Sequence, residues 1–239
     1  MIDFKLQKIS KWKDDLIHLI YPSSCLICEK ELSEFNNHFC PFCTNELNFT
    51  YFERYEEPTI LDQLFWGRVN VYSTYAHLFF EKEKSTQPIL HALKYKDKPE
   101  IGIEMGKAIG ENLKKMSSFS SVDVLIPVPI HSKKQFTRGY NQSEKIADGI
   151  AEVLNIPVVP DFMGHAKQTE SQTKKGRFLR WDNVENKFKA KKIASTSFKH
   201  IAIVDDVITT GATLEAIIRM IRENNPEIRI SIISLAITK

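Results

Sequence analysis

The sequence predicts an α/β protein in which a mostly parallel sheet is flanked by helices, with a small cysteine-containing segment near the N-terminus. Short runs of β-branched and aliphatic residues alternate with segments that have the apolar spacing of helices, and this alternation is typical of parallel α/β sheets. All four cysteines fall in two C-x-x-C pairs ahead of the first of these strands. We therefore expect two units, an N-terminal helix with a cysteine segment at residues 1–50 and a sheet domain at residues 51–239.

Composition narrows the class of protein. A chain of 239 residues with 42% hydrophobic and 26% charged residues is ordinary for a globular protein, and a net charge of +3 is too weak to argue for nucleic acid by itself. No apolar run approaches the roughly 20 residues that a membrane span needs. The first 15 residues include four lysines and no uninterrupted apolar core, which is unlike a secretory signal. We expect a cytoplasmic protein whose thiols stay reduced.

The chain begins with a predicted amphipathic helix at residues 4–20, which Pro22 ends. Its apolar face needs a surface to pack on, and docking on its own domain is favoured over a membrane surface or a partner helix. The residues of this face are Leu6, Ile9, Trp12, Leu16, Ile17 and Ile20.

The four cysteines, Cys25, Cys28, Cys40 and Cys43, form two C-x-x-C pairs that are eleven residues apart. This spacing brings four thiolates around one tetrahedral Zn²⁺, and four sulfur ligands leave no open position, so the predicted zinc site is structural. Metal binding would supply folding energy to a segment with little core of its own. Two disulfides are disfavoured by the compartment, and a thioredoxin-type redox motif is disfavoured by the second pair. An iron–sulfur cluster is the remaining metal alternative.

Between residues 49 and 116 the sequence predicts a linker, a strand or hairpin, and two helices. Residues 49–67 are aromatic and acidic and are interpreted as a linker with local packing, and residues 69–80 as a strand or hairpin. Helices are predicted at residues 87–95 and 100–116. The basic turn between them, residues 93–99, is either a solvated helix end or a loop that binds pyrophosphate.

A second buried strand is predicted at residues 123–130, where two prolines stop pairing at the point where the strand leaves the sheet. A basic loop follows at residues 131–142. Asn141 or Ser143 then caps the next predicted helix. Further along, residues 165–188 are polar and basic over a length that favours a functional loop or disorder, and residues 229–238 form the last strand.

The most informative stretch lies between those two segments. Residues 201–204 predict a strand buried on both faces, Asp205 and Asp206 follow at its end, and the small, hydroxyl-rich residues 209–213 lead into a helix at residues 214–223. Backbone N–H groups of such a loop and of the helix N-terminus hold phosphate, whereas the two carboxylates suit sugar hydroxyls. A buried strand with a solvated acidic end, or the acidic pair of a response regulator, are the alternatives.

This stretch resembles the motif by which type I phosphoribosyltransferases bind 5-phosphoribosyl 1-pyrophosphate (PRPP), an apolar strand followed by Asp-Asp and T-x-G-x-T. The resemblance implies that Asp205 and Asp206 bind the ribose 2′- and 3′-hydroxyls of PRPP. It also implies that residues 209–213 cradle the 5′-phosphate, and that the sheet has the type I phosphoribosyltransferase fold.

The order of motifs along the whole chain is similar to that of the ComF family. The cysteine pairs come first, and the PRPP motif comes last. Between them stand Leu-Lys-Tyr at residues 93–95, Pro-Val-Pro at residues 127–129, Arg-Gly-Tyr-Asn-Gln at residues 138–142, and a Gln-Thr loop with Arg177 and Asn183-Val184. Tyr140 stands where this family often has phenylalanine, and residues 96–97 lack the glycine that is often found there. ComF proteins are bacterial phosphoribosyltransferase-like proteins linked to competence for DNA uptake.

The resemblance implies a transferase of the pentosyl glycosyltransferase type, which moves phosphoribose from PRPP to an acceptor with Mg²⁺ bound and pyrophosphate released. Cations at the leaving group and a lid at residues 165–183 would serve this reaction. Catalytic roles fall to Arg138 and Arg177. PRPP would be bound by Asp205, Asp206, Thr209, Thr210, Gly211, Ala212, Thr213, Lys94, Tyr95 and Lys96.

A second hypothesis is a non-catalytic module that binds PRPP or single-stranded DNA and acts with a DNA-uptake helicase. The basic loops suit either function, because PRPP and a DNA backbone are both polyanions. Aromatic residues beside these loops stack on bases in such modules. Tyr95, Phe136 and Tyr140 are the candidates for stacking, whereas Phe178 and Trp181 are favoured as core or lid anchors.

Overall fold

The computed structural model describes residues 23–32, 38–81, 85–95, 98–130, 132–165, 188–190 and 198–238. The helix predicted at residues 4–20 and nearly all of the polar stretch at residues 165–188 lie outside the described residues.

A four-stranded parallel sheet forms the centre of the described structure, with strand order β1-β6-β5-β2. A separate pair of short antiparallel strands, β3 and β4, lies at the ends of the polar stretch. The prediction of a mostly parallel sheet flanked by helices is confirmed. The strands are β1 Ser73–Phe80, β2 Val124–Pro127, β3 Met163–His165, β4 Phe188–Ala190, β5 His200–Ile208 and β6 Arg229–Thr238.

Helices connect and cover the strands of the sheet. No helix in the described ranges is long and apolar enough to cross a membrane. Short 3₁₀ turns add to them at Phe52–Arg54, Ser117–Phe119 and Pro160–Phe162. The helices are α1 Pro41–Asn45, α2 Ile60–Phe65, α3 Thr86–Tyr95, α4 Pro99–Leu113, α5 Ser132–Arg138, α6 Gln142–Leu154 and α7 Ala212–Asn224.

Three segments differ from the prediction. The expectation of a linker at residues 49–67 is wrong, because α2 lies there. The side chains of Leu61 and Phe65 in this helix are only 0% and 1% exposed. The strand expected from residue 69 begins only at Ser73. The basic loop expected at residues 131–142 contains α5, whose charged residues lack the apolar spacing by which a helix is detected.

Strand β5 carries the predicted acidic pair and is buried as expected. Its residues Ile201 to Val204 are fully buried, with β6 on one side and β2 on the other. The strand continues through Asp205 and Asp206 to Ile208, because β6 pairs with it along this whole length. The two carboxylates therefore lie in the last part of the strand rather than after it.

The cysteine segment is attached to the free edge of β1. The Phe79 N–H donates to the Asn48 carbonyl at 2.8 Å and the Thr50 N–H donates to the His77 carbonyl at 3.0 Å, so this segment runs antiparallel to β1. Leu47 belongs to the main hydrophobic core. The proposed boundary at residue 50 thus falls within a stretch that is bonded to the sheet, and the division into two units stays a prediction.

Helices α4 and α6 approach each other through glycines. A Cβ on Gly106 would overlap the Ile146 carbonyl oxygen, and a Cβ on Gly149 would overlap the Ile103 carbonyl oxygen. Because backbone rather than flexible side chains lies opposite each glycine, neither neighbour yields without moving a helix. This contact sets the spacing of α6, and with it the position of the loop before α6.

We expect Gly106→Ala to lower the free energy of unfolding by about 2–3 kcal/mol, although alanine is the better helix former. For a domain of this size the melting temperature should fall by about 4–12 °C. Gly67→Ala is the control, since Gly67 has a positive φ of 71° but nothing within 4 Å of an added Cβ. Gly67→Ala should lower the free energy of unfolding by only about 1 kcal/mol. A Gly106→Ala protein as stable as the parent would contradict the close helix contact.

Candidate functional site

The acidic pair lies at the carboxyl end of β5, where ligands of parallel α/β sheets bind. Asp205 Oδ1 accepts hydrogen bonds from the Asp206 N–H at 2.8 Å and from Ser143 Oγ at 3.3 Å. Asp206 Oδ1 accepts from the Val207 N–H at 2.8 Å, and its Oδ2 lies 2.7 Å from Lys94 Nζ. Three separate parts of the chain, α3, α6 and β5, therefore meet at these two carboxylates.

The two carboxylates differ in environment. Burial, followed by repulsion from Asp206, raises the pKa of Asp205 to about 7. The Asp206 N–H and the Lys94 ammonium act in the opposite direction. A carboxyl group in this state carries a free-energy cost when it is ionised, and a bound cation or a set of hydroxyl donors would relieve that cost.

The raised pKa of Asp205 predicts a pH-dependent effect of Asp205→Asn on stability. Between about pH 4 and pH 7 the folded protein holds a proton that the unfolded chain has lost, so the contribution of Asp205 to stability falls as the pH rises through this window. Asparagine keeps the acceptor oxygen without the charge. We therefore expect the variant to be more stable than the parent at pH 8, by about 1–3 kcal/mol, and to lose most of this advantage at pH 4.

Thermal unfolding of the ligand-free proteins at both pH values measures this effect. The control is Asp161→Asn, which removes an exposed carboxylate in the turn at Pro160–Phe162 and should show no such pH-dependent gain. An Asp205→Asn protein that is less stable than the parent at pH 8 would contradict the unfavourable burial of this charge.

The loop at residues 209–213 joins β5 to α7. Gly211 is the N-cap of α7 and has a φ of 71°, a left-handed conformation that favours glycine. It is buried against Phe65, whereas Thr209, Thr210, Ala212 and Thr213 are exposed. The N–H groups at the start of α7 thus lie beside exposed threonine hydroxyls, with the Ala212 N–H donating to Thr210 Oγ1 at 3.5 Å, and such an arrangement binds anions.

Two of the residues predicted for the site lie at the ends of helices. Tyr95 ends α3 and Arg138 ends α5, and the Arg138 guanidinium carbon lies 5.3 Å from the centroid of the Tyr95 ring. Arg138 Nη1 also donates to Gln142 Oε1 at 2.9 Å. Tyr140 Oη donates to the Leu93 carbonyl at 2.6 Å. These contacts join the Lys-Tyr turn to the Arg-Gly-Tyr-Asn-Gln motif.

Most of the predicted site residues contact one another or follow one another in the chain. Two of them lie outside the described residues. Asp206 contacts Lys94 directly, Asp205 is its neighbour in β5, and residues 209–213 follow in the chain. Lys96 and Arg177 lie outside the described residues, as does most of the candidate lid.

Two contributions were not expected from the sequence. The sequence predicts Asn141 or Ser143 as the cap of α6, and Asn141 is the residue that caps it, through a bond from the Ser143 N–H to Asn141 Oδ1 at 3.1 Å. The Ser143 side chain instead contacts Asp205. Arg68 contacts the loop at residues 209–213 from just beyond the segment that was interpreted as a linker, and no sequence pattern indicates that contact.

The four cysteines form a second candidate site. Their Sγ atoms all lie within 4.8 Å of one another, and Cys28 Sγ and Cys40 Sγ are 3.7 Å apart. A tetrahedron with metal–sulfur distances of about 2.3 Å has sulfur–sulfur edges of about 3.8 Å, so the cluster has the size of a four-thiolate metal site. The Cys40 N–H donates to Cys25 Sγ and the Cys43 N–H donates to Cys40 Sγ, both at 3.4 Å.

The environment of the cluster also fits a metal ion. Burial, followed by interactions with the other three cysteines, raises the pKa of the Cys43 thiol. Four thiolates at these separations repel one another unless a cation lies between them. His38 lies nearby but contacts α4 instead, with its Nδ1 at 2.7 Å from Glu104 Oε2. The four thiolates could therefore hold a structural metal such as zinc.

The chain is similar to several known proteins. The phosphoribosyl transferase domain family matches residues 141–238, which include both carboxylates and the loop at residues 209–213. Competence protein F of Haemophilus influenzae is 23% identical over 211 residues, which are 87% of this chain and 87% of that protein. DNA utilization protein YhgH of Escherichia coli K12 is 24% identical over 57% of this chain and 61% of its own length.

The amidophosphoribosyltransferase of Pasteurella multocida is 32% identical over 122 residues, but these are only 22% of that protein. The fold, the acidic pair and the domain match together define a protein of the phosphoribosyltransferase type. Within that class, the similarity to Competence protein F over 87% of both chains, and to YhgH over 57% of this chain, supports a ComF-family protein. The recognition made from the order of sequence motifs is confirmed.

Proposed function

We propose that this protein binds PRPP at the carboxyl edge of the sheet and transfers its phosphoribose to an acceptor with release of pyrophosphate. The observation that carries the proposal is the pair Asp205 and Asp206, held beside Lys94 and followed directly by the exposed threonine loop. Carboxylates and an anion-binding loop in this order suit a ligand that has sugar hydroxyls next to a terminal phosphate.

Each group has a role in this proposal. Asp205 and Asp206 accept hydrogen bonds from the ribose hydroxyls, and the N–H groups and hydroxyls of residues 209–213 donate to the 5′-phosphate. Lys94 and Arg138 supply positive charge for the pyrophosphate, and Tyr95 and Lys96 are assigned to the same part of the ligand. Arg177, from the candidate lid, would act on the leaving group and exclude water. These charges matter most in the transition state, where negative charge develops on the departing pyrophosphate.

The proposal includes two metals. The carboxylates of the acidic pair are suitable ligands for Mg²⁺, which would stabilise the negative charge that develops on the pyrophosphate. Zn²⁺, rather than an iron–sulfur cluster, would be held by the four cysteines in a structural role. Because such a site needs reduced thiols, we also propose that the protein acts in the cytoplasm.

A second candidate function is the binding of single-stranded DNA. Phe136 and Tyr95 are exposed to 92% and 67%, and the Arg138 guanidinium lies over the Tyr95 ring, so rings and cations are available together for stacking. The names Competence protein F and DNA utilization protein belong to relatives of this chain, and the second of these names refers to DNA. In this alternative the protein binds PRPP or DNA without catalysis and works with a helicase in DNA uptake.

Arg138→Ala separates the two functions. If the protein is a transferase, we expect this variant to lose turnover by about tenfold or more while PRPP affinity changes little, because a leaving-group cation acts mainly in the transition state. If it is a DNA-binding module, the same variant should bind single strands more weakly. Its log–log salt slope should then be flatter by about 0.7 for each phosphate that the protein no longer neutralises.

The measurements are pyrophosphate release with a panel of nitrogen bases and amines, and DNA binding across a salt series. Arg54→Ala is the charge-matched control, because the Arg54 side chain pairs with Glu53 and stacks on the Tyr51 ring, and neither of these is a predicted site residue. Arg177→Ala extends the test to the candidate lid. A reduced salt slope, together with no pyrophosphate release even in the parent, would overturn the transferase proposal.

A further inference from the structure

The Arg68 side chain bonds to the loop at residues 209–213 and to the helices on either side of it. Its Nη1 donates to the Thr210 carbonyl at 2.8 Å and to the Leu64 carbonyl at 3.0 Å. Its Nε and Nη2 both donate to Glu215 Oε2, at 2.9 and 2.6 Å. One guanidinium thus joins the end of α2, the loop and the first turn of α7, across 142 residues of sequence from Arg68 to Thr210.

The bond to the Thr210 carbonyl has a consequence for the loop. The carbonyl of Thr210 and the N–H of Gly211 belong to the same planar trans peptide, so they point in opposite directions. Because Arg68 bonds to the Thr210 carbonyl, the Gly211 N–H points away from Arg68 and towards the exposed side of the loop. The Phe65 ring packs beside Gly211, 3.0 Å from the position that a Cβ on this residue would take.

The bonds to Glu215 affect the charge of the same loop. Glu215 lies in the first turn of α7, where an unpaired carboxylate would repel a bound phosphate. Hydrogen bonds from Arg219 and then from Arg68 hold the pKa of Glu215 below its usual range. The two arginines and Glu215 together carry a net positive charge beside the start of α7.

We propose that Arg68 is a positioning residue for the 5′-phosphate, which it affects by orienting the Thr210–Gly211 peptide. This proposal rests on the proposed function, because it assigns the phosphate of PRPP to the loop at residues 209–213. It assigns a role to a residue in the segment before β1, outside the residues 141–238 that match the phosphoribosyl transferase domain family. Arg68 itself need not touch the ligand.

The test compares two partial ligands in the presence of Mg²⁺, namely ribose 5-phosphate, which carries the phosphate for this loop, and pyrophosphate, which does not. We expect Arg68→Gln to weaken ribose 5-phosphate binding by about tenfold or more. Pyrophosphate binding should stay within about twofold of the parent. Arg68→Lys should remain impaired, because lysine keeps the charge but cannot hold Glu215 and the Thr210 carbonyl in one planar fork.

Arg222→Gln is the matched control. Arg222 joins the same two segments at the other end of α7, with Nη2 donating to the Asn70 carbonyl at 3.0 Å, far along the helix from the loop. This variant should bind both ligands as the parent does, even if its melting temperature falls.

The outcomes that oppose the proposal are distinct. Equal weakening of both ligands in Arg68→Gln, or parental binding of ribose 5-phosphate by Arg68→Gln or by Arg68→Lys, overturns the positioning role. A parent that binds neither PRPP nor ribose 5-phosphate overturns the proposed function itself. Calorimetric titration of each variant, after its folding has been checked by thermal unfolding, provides these comparisons.

Discussion

The double variant Asp205→Asn/Asp206→Asn is expected to lose Mg²⁺-dependent PRPP binding by a factor of about one hundred or more while keeping its fold. Charge-assisted hydrogen bonds contribute about 1.5–3 kcal/mol each, and a tenfold change in affinity corresponds to about 1.4 kcal/mol. The variant loses two carboxylates that act on hydroxyls or on Mg²⁺. Its fold should survive because asparagine still accepts the bond from the Asp206 backbone N–H, which belongs to the strand.

Binding is measured by titration calorimetry and by the rise in melting temperature that any ligand selective for the native state produces. A second double variant, Asp148→Asn/Asp161→Asn, removes the same charge from α6 and from the turn that follows it, so it controls for long-range electrostatics. Its affinity for PRPP should match that of the parent. If Asp205→Asn/Asp206→Asn also bound as tightly as the parent, the ribose assignment would be wrong.

Cys40→Ser is expected to abolish metal binding and to unfold the cysteine segment. The parent should purify with about one zinc per chain, and structural zinc sites of this type contribute on the order of 10 kcal/mol or more to folding. The small cluster of Cys25, Leu32 and Cys43 has too few apolar contacts to replace that contribution. The sheet domain should remain folded, because the fully buried residues of β5 and β6 do not belong to this cluster.

Metal analysis of freshly purified, reduced protein and hydrogen exchange together test this expectation. Exchange should rise to the unfolded level at residues 38–47 and stay protected in β5. Phe42→Ser is the control, since it changes an exposed residue between Cys40 and Cys43 and keeps all four thiols. Global unfolding of Cys40→Ser would contradict the proposed boundary at residue 50, and a parent protein without zinc would contradict the zinc assignment.

The part of the site that could be predicted lies within single short stretches of sequence. The buried strand, the two carboxylates, the threonine loop and the start of α7 are consecutive, so their order alone specifies a strand, a turn and a helix N-terminus. The spacing of the four cysteines acts in the same way. In both cases the residues are close in the chain, so local backbone geometry places their side chains near one another and the spacing in the sequence predicts the arrangement.

Short helices are the elements that the sequence predicts least well. The helix α2 is only six residues long and was interpreted as part of a linker, although Leu61 and Phe65 are fully buried. Helix α5 lies in what was expected to be a loop. Short helices are stabilised by what they pack against more than by their own propensity, so their signal in the sequence is weak.

The sequence by itself determined the fold class, the family, the four thiols of the candidate metal site and the residues that are candidates for contact with PRPP. Only the tertiary structure decided which distant groups meet them: Lys94 at Asp206, Ser143 at Asp205, Arg68 at the Thr210 carbonyl and Glu215, and His38 at Glu104. The physical reason is that strand order and helix packing bring these side chains together. Their partners are dozens of residues away in the chain, where no local spacing rule applies.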